Sequence, residues 1–300
     1  MAAAQQNKLK NLWKRGKTGY AFLLPFLIMF LLFTIVPIII GFVLSFTNYS
    51  VLETPKFIGL TNYKQLIFDD DIFLIALKNT IVFSVIIGPL GFILSFLLAW
   101  IINNLKCKGL FALAVYTPSI ASGVAMTTIW SYFFSPDRYG LVNNILINMR
   151  IIVNPIIWNQ DPATIMPVVI LLSVWMGMGT GFLAFMAGLQ NISKELLEAG
   201  RIDGIGHVIQ ELWYIIIPQM KPQLLFGAIM AIVNSFGVFD VAVQFAGMPS
   251  PNYAAHTIVA HLYDYAYVRF QMGYGSAVAM VLFVITFVLG KVIMKVLKSD

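Results

Sequence analysis

Few residues in this chain of 300 could do chemistry, and their spacings match no catalytic site. The phosphate-binding sequence G-x-x-x-x-G-K-[ST] is absent, since the glycine-rich stretch Gly177-Met178-Gly179-Thr180-Gly181 has no lysine after it. The three histidines, His207, His256 and His261, are scattered, and a separation of five does not place the last two on one helical face. The sequence therefore predicts no ATP hydrolysis and no metal site on this chain, which is not expected to be an enzyme.

Composition predicts a surface that faces lipid. Hydrophobic residues make up 59% of the chain and charged residues 11%, with a mean hydropathy of +0.84. Soluble domains carry about 25% charged residues. The single cysteine, Cys107, excludes an internal disulfide. The net charge of +6 comes from basic residues beside apolar runs, so we interpret them as topology anchors and expect no nucleic-acid partner.

Six apolar runs are predicted to cross the membrane, at about residues 19–46, 73–102, 110–134, 164–189, 223–245 and 272–296. The first run would extend about 42 Å, enough to cross a hydrocarbon layer of roughly 30 Å with tilt. The fourth run is rich in small residues, which let helices approach closely, so we expect it to pack at the centre of the bundle. The sequence thus predicts an all-α membrane protein, with a basic N-terminus over residues 1–18 and a single transmembrane domain over residues 19–300.

The distribution of basic residues predicts the orientation. Six spans put both termini on one side. The termini together with the second and fourth connections hold 13 Lys and Arg residues, and the remaining connections and span ends hold 6. The positive-inside rule therefore places both termini and the connection Asn191–Pro222 in the cytoplasm.

The connection Asn191–Pro222 is a polar interruption between two apolar runs. Ser193 is a predicted N-cap with Glu195 in the first turn, and Gly204 is predicted to end this short helix in a left-handed conformation. Ala199 and Gly200 are small, so another surface could approach the helix closely. A second helix is predicted to carry one continuous apolar stripe up to Pro218, formed by Ile205, Val208, Ile209, Leu212, Trp213 and Ile216. Without a partner, this segment would be an amphipathic helical hairpin on the membrane surface.

The order of residues in this connection resembles the EAA loop of ABC importer permeases. The resemblance rests on Glu198-Ala199-Gly200, on Asp203-Gly204, and on Pro218 after an aliphatic run. Two positions depart from the family pattern: Gly200 replaces the second alanine, and Ile205 stands where a small residue is usual. Two weaker phrases resemble the sugar permeases of this superfamily, namely Phe57-Ile58-Gly59-Leu60 followed by Asn62-Tyr63, and Tyr139-Gly140-Leu141-Val142-Asn143.

The resemblance covers nearly the whole chain and is strongest to the carbohydrate importer permeases of the multiple-sugar and glycerol-phosphate group. It implies a six-transmembrane-helix ABC importer permease bundle with a cytoplasmic coupling-helix loop over residues 191–222. The function it implies is that of a permease subunit forming half of the translocation path of an ATP-driven importer for a sugar or oligosaccharide. It implies that the loop contacts the ATPase through Glu195, Glu198, Ala199, Gly200, Asp203, Gly204 and Pro218. The implied partners are a second homologous permease, two cytoplasmic ABC ATPase subunits, an extracytoplasmic solute-binding protein and a sugar. ATP and Mg²⁺ would bind the ATPase, so no cofactor is expected on this chain, which would lie in a bacterial cell membrane.

A polar path through the bundle is the second candidate site. Asp240 lies inside the fifth run, where a charge costs about 2.5 to 3.5 kcal/mol unless it faces protein or water. It could line a translocation path or hold helices together by hydrogen bonds. Sugars bind through hydroxyl networks and aromatic faces, so the further candidates are Tyr116, Trp130, Trp175 and Asn234, each of which could instead serve in packing.

A channel or structural membrane scaffold, which would need no cytoplasmic hydrolase, stays open from the sequence, and so do two further alternatives. An ion-gradient-driven secondary transporter should contain membrane-embedded carboxylates and repeats, whereas this chain has Asp240 and no obvious repeat. An importer permease for a non-sugar solute such as glycerol phosphate is the second, and the absence of a central Lys or Arg in the spans argues weakly against it.

Overall fold

The computed structural model describes residues 19–50, 53–121 and 123–297. Within these ranges the chain is helical, and its extended pairing is limited to one bridge between Thr47 and Phe57. The predicted basic N-terminus over residues 1–18 lies outside the described residues. The helices are α1 (Gly19–Leu44), α2 (Thr61–Phe68), α3 (Asp71–Asn103), α4 (Lys108–Ile120), α5 (Gly123–Phe133), α6 (Leu141–Asn148), α7 (Pro162–Gly177), α8 (Gly179–Gln190), α9 (Lys194–Ile202), α10 (208–219), α11 (Lys221–Phe236), α12 (Asp240–Ala246), α13 (Ile258–Tyr263) and α14 (Met272–Leu297).

Several of these helices have the length and apolar character of membrane spans, which confirms an all-α membrane protein. Four helical stretches qualify on their own, namely α1, α3, the run Lys221–Ala246 and α14. Two bent pairs, α4 with α5 and α7 with α8, raise the number to six if each pair is one span. The helix α1 buries little of its apolar surface against this chain and packs beside α14.

Three of the predicted spans are interrupted rather than continuous. The third bends by 102° between Lys108–Ile120 and Ala125–Phe133, after Ala121 adopts an extended conformation. The fourth bends by 40° at the junction of α7 and α8. The fifth leaves the helical conformation between the end of α11 and the start of α12. These positions are occupied by Pro118, by the glycines on either side of Met178, and by Gly237. Proline and glycine have a low helix propensity, which a hydropathy profile does not measure.

Glycines bring α8 against its neighbours at the centre of the bundle, as the sequence predicted. A Cβ atom at Gly188 would lie 2.9 Å from Cγ of Gln223 in α11. A Cβ at Gly227 would collide with the ring of Phe185, which is fully buried in α8. At Gly179 it would collide with a side chain of α4. These contacts leave no room for larger residues, so α8, α4 and α11 are packed closely.

The first family-like phrase forms a hydrogen-bonded turn between α1 and α2. Gly59 has a φ of 60°, which favours glycine. Asn62 is buried at the start of α2, and its amide donates to the carbonyls of Ser45 and Thr47, both at 2.8 Å. The Tyr63 hydroxyl donates to the hydroxyl of Ser45 at 2.8 Å. These hydrogen bonds therefore hold the chain segment that leaves α1 in one conformation.

The second family-like phrase places one asparagine at the centre of the connection between α5 and α7. Asn143 is fully buried and donates to the carbonyls of Ser135, Asp137 and Ile156 at 3.0 to 3.1 Å. Its carbonyl oxygen accepts from the amide of Ile156 at 3.1 Å and from the indole of Trp158 at 3.0 Å. One side chain thus satisfies five backbone and indole groups.

We expect Asn143→Ala to lower the free energy of unfolding by about 2 to 3 kcal/mol, because it leaves several buried polar groups without partners. The measurement is thermal unfolding in detergent. Asn148→Ala is the matched control, since Asn148 is exposed on the same helix and donates to the side chain of Asn144 at 2.9 Å. Equal stability of the two variants would contradict this role for Asn143.

Candidate functional site

The polar connection folds as two short helices, α9 and α10. The hydroxyl of Ser193 accepts a hydrogen bond from the amide of Leu196 at 3.3 Å, which caps the start of α9. Glu195 lies in the first turn, where a carboxylate suits the helix dipole. Asp203 ends the helix and Gly204 follows with a φ of 98°. The local structure of α9 therefore follows the sequence pattern.

The small residue Gly200 serves a contact within the chain. It is buried, and a Cβ atom there would collide with Cδ1 of Ile215 in α10 and lie 3.2 Å from Cδ1 of Ile205. The close approach that the small residue allows is made at Gly200 by α10 of the same chain. Glu198 and Ala199 are exposed on the other face of α9.

The predicted apolar stripe of α10 does not lie on one face. A π turn over Leu212–Ile216 adds backbone to one turn and rotates the residues after it. Ile215 and Ile216 are buried, whereas Ile209 and Trp213 are 65% and 63% exposed. The stripe is therefore divided into a part that packs against α3 and α8, where Ile216 joins a core cluster, and a part that stays uncovered. The helix ends at Gln219, directly after Pro218.

The two helices present an uncovered apolar surface, which we call the loop surface. It consists of Leu196, Ile202, Val208, Ile209, Trp213 and Tyr214. Ile202 is 87% exposed. Glu198 is exposed on the same helix as Ile202, and Arg201 pairs with Glu211 at 3.5 Å across α9 and α10. An apolar surface of this kind on a polar segment indicates a contact with another protein or a membrane.

A polar cavity of about 390 Å³ lies among α4, α7, α8 and the broken fifth run. Asn234 near the end of α11 and Asp240 at the start of α12 both line it. The sequence did not single out its other polar side chains, which are Ser119, Ser173 and Thr180. The Ser173 hydroxyl is buried and has no hydrogen-bond partner among the described residues. These hydroxyl, amide and carboxylate groups could bind a polyhydroxylated ligand.

The three aromatic candidates lie outside the set of residues that lines this cavity. Trp130 and Trp175 contact each other, with ring centroids 5.1 Å apart. Trp130 also packs against Phe134 in a core cluster. The ring of Tyr116 lies beside Gly179, 3.3 Å from the position that a Cβ atom would take there. The structure thus brings Asn234 and Asp240 to one cavity and places the aromatic candidates in packing.

Two of the histidines that the sequence suggested were scattered are in contact. His256 Nε2 lies 3.3 Å from His261 Nδ1, and His261 Nε2 lies 3.1 Å from Asp70 Oδ2. Asp70 also accepts hydrogen bonds from the Tyr274 hydroxyl at 2.6 Å and the Phe73 amide at 2.8 Å. The spacing argument failed because His256 precedes α13 rather than lying on it. The sequence signal that could have drawn attention to Asp70 was its position as the N-cap of α3.

Burial controls the ionisation of this cluster. Burial, together with repulsion from the neighbouring His261, lowers the pKa of His256 to about 4. Burial also lowers the pKa of His261, although the attraction of Asp70 opposes that shift. For Asp70, burial acts to raise the pKa, but the hydrogen bonds from Tyr274 and Phe73 outweigh it and the pKa falls. The other ionisable groups near the histidines are Asp264, Tyr265 and Arg269.

We expect this histidine pair to make stability depend on pH. In the unfolded chain the imidazoles bind protons near pH 6.5, whereas His256 in the folded chain resists protonation until about pH 4. Stability from the neutral pair is therefore fully present above pH 6.5 and is lost as the pH falls toward 4. Thermal unfolding in detergent across this range should show the decline.

The matched variants separate this pair from the rest of the chain. His256→Gln should show a shallower decline of the unfolding temperature, and the exposed His207→Gln should match the unmodified protein. A decline that is as steep in His256→Gln as in His207→Gln would exclude His256 as a cause.

Comparison with known proteins assigns the chain to a family. It is 35% identical over 286 residues to the probable ABC transporter permease protein YesP of Bacillus subtilis (strain 168), covering 94% of this chain and 91% of the relative. It is 31% identical to the arabinooligosaccharides transport system permease protein AraP of the same organism, covering 98% and 93%. The chain belongs to the permease subunits of ABC transporters. No family profile matches the chain.

The permease also resembles a solved structure along most of its length. A chain of the bacterial alginate ABC transporter, in complex with an alginate pentasaccharide-bound periplasmic protein, superposes with a TM-score of 0.79 at 26% identity. The match covers 93% of each chain. Permeases of this kind are not enzymes, and ATP hydrolysis belongs to a separate subunit. The relatives give no support to an ion-gradient-driven secondary transporter.

Proposed function

We propose that this permease forms half of the translocation path of an ATP-driven importer for a sugar or oligosaccharide. The observation that carries this proposal is the match, over nearly the full length of both chains, to a permease named for arabinooligosaccharide transport. The polar cavity supports it, since its hydroxyl and amide groups suit a neutral polyhydroxylated solute. Within the described residues no Lys or Arg lines that cavity, so it offers a phosphate-bearing solute no cationic partner.

The bent helix pairs support a six-span topology with both termini in the cytoplasm. If each pair crosses once, the helices make six crossings. The basic residues then favour the side that carries the termini and the connection Asn191–Pro222. The loop surface would accordingly face the cytoplasm, where an ATPase could reach it.

The proposed coupling site is the loop surface together with the exposed residues beside it on α9. Glu195, Glu198 and Ala199 are exposed on α9 and would contact the ATPase directly. Gly200 would act indirectly by letting α10 pack beneath α9, and the bends at Asp203-Gly204 and Pro218 shape the connection. Shifting a two-state transporter from 1:99 to 99:1 takes roughly 5.5 kcal/mol of differential binding, so an alternating-access mechanism needs a firm contact here.

The remaining partners follow from the proposed importer. A second homologous permease would complete the path, and the exposed apolar length of α1 offers it a contact. Two ABC ATPase subunits would hold the ATP and Mg²⁺. An extracytoplasmic solute-binding protein would deliver the sugar, since the alginate transporter was solved together with a periplasmic protein that carries an oligosaccharide.

Co-purification tests the function. The affinity-tagged permease, solubilised in detergent, should bring down a second permease and an ABC ATPase. ATP hydrolysis by that complex should rise when the binding protein and one member of a panel of arabinooligosaccharides and other oligosaccharides are added together. A permease that purifies alone, and transports in liposomes under an ion gradient without ATP, would overturn the proposal.

A charge reversal on α9 tests the coupling site. We expect Glu198→Lys to abolish uptake by disturbing the contact with the ATPase, while expression and membrane insertion stay normal because Glu198 is exposed. ATPase co-purification should fall with it. Glu53→Lys is the matched control, since Glu53 is exposed in the connection after α1. Normal uptake by Glu198→Lys at equal expression would count against coupling through this surface.

A further inference from the structure

The break in the fifth apolar run leaves a backbone carbonyl outside any helix. The helix α11 ends at Phe236 with Gly237 as its cap, and α12 begins at Asp240 after Phe239, whose φ of −135° and ψ of −64° are not helical. Val238 lies between them and lines the polar cavity. Irregular backbone at membrane depth persists only where the protein or a water-filled cavity satisfies its polar groups. The carbonyl of Val238 therefore needs a donor.

Thr257 supplies that donor from outside the run. Its hydroxyl donates to the Val238 carbonyl at 2.9 Å and accepts from the amide of Ala260 at 3.2 Å, which caps α13. Thr257 is 1% exposed, so both bonds are shielded from solvent. One hydroxyl thus joins the break to the start of α13.

The backbone on either side of Thr257 is held by the second span. Asn79 of α3 donates to the carbonyl of His256 at 3.0 Å, and the hydroxyl of Thr80 accepts from the amide of Ile258 at 2.9 Å. The side chain of His256 in turn contacts His261, which reaches Asp70 at the start of α3. The hydroxyl of Thr257 is therefore fixed by its surroundings rather than free to follow Val238.

We infer that Thr257 is a positioning residue for the translocation path, which it serves by anchoring the break so that Asn234 and Asp240 face one cavity. The inference rests on the proposed function, in which that cavity carries the solute. Asn234 and Asp240 flank Val238 on the two sides of the break. Releasing the Val238 carbonyl would let the two segments move independently and would widen the range of positions of both polar side chains.

Cysteine accessibility tests this geometry without a transported sugar. The reporter is Val238→Cys in a Cys107→Ser background, because Cys107 is exposed and would react itself. The full chain is labelled with N-ethylmaleimide in isolated membranes. We expect Thr257→Val to speed labelling of the reporter about fivefold. The loss of one hydrogen bond should raise the population of chains in which the break is released by about that factor. An unchanged rate in Thr257→Val would overturn the inference.

Three controls exclude general loosening. Thr257→Ser keeps the hydroxyl and should label at the original rate, and a faster rate there would also overturn the inference. Thr286→Val removes a hydroxyl that bonds at 2.8 Å to its own helix, and it should leave the reporter unaffected. A second reporter, Ile202→Cys on the exposed face of α9, should label equally in every variant. Unequal labelling at that reporter would mean that Thr257→Val disturbs the whole bundle, which contradicts a local role.

The outcome is independent of the test of function. A complex with no ATPase partner and no response to sugar would refute the importer, while the labelling rates would still report whether Thr257 anchors the break. Conversely, unchanged labelling in a complex whose ATPase responds to a sugar would refute the positioning role alone.

Discussion

Peptide groups that leave a helix and are buried away from water need a hydrogen-bond partner from the protein. Buried side chains of the asparagine and threonine type meet this need here. Asn62 and Asn143 serve the turns after α1 and α5, and Asn79 serves the segment before α13. Thr257 serves the break in the fifth run. The break in the fifth run is therefore satisfied by Thr257, and the connections outside the spans are satisfied by the asparagines.

Asparagine suits the task because its amide has two N–H donors and an acceptor in one plane. Asn79 donates to two carbonyls, those of Tyr253 and His256, at 2.8 and 3.0 Å. The phrases that resemble the sugar permeases contain the other two buried asparagines, Asn62 and Asn143. This gives the resemblance a physical basis, since a substitution at either position would leave several buried carbonyls without a hydrogen-bond donor. In both phrases the asparagine is therefore a residue that satisfies irregular backbone.

The sequence predicted the features that depend on neighbouring residues. It missed the features that depend on residues far apart in the chain. Capping by Ser193 and the turn at Gly204 depend on neighbouring residues, and both were predictable. The contact of Gly200 with Ile215 depends on a π turn that no periodicity reveals. The link from Asp70 to His261 joins residues 191 apart in sequence, so spacing could not find it. Hydropathy located the spans but could not distinguish a straight helix from a bent pair.

The loop surface and the cavity lie at opposite ends of the same two helices. The helix α8 has 12 residues, about 18 Å, and runs from Thr180 at the cavity to the cap of α9. The helix α11 begins directly after α10 and reaches the cavity at Asn234. Between these ends, Gly188 meets Gln223 and Gly227 meets Phe185, so closely that a Cβ atom would fit at neither glycine without a shift. Because close-packed interfaces transmit displacement rather than absorb it, a movement imposed on the loop would carry α8 and α11 together and change the cavity at their far ends.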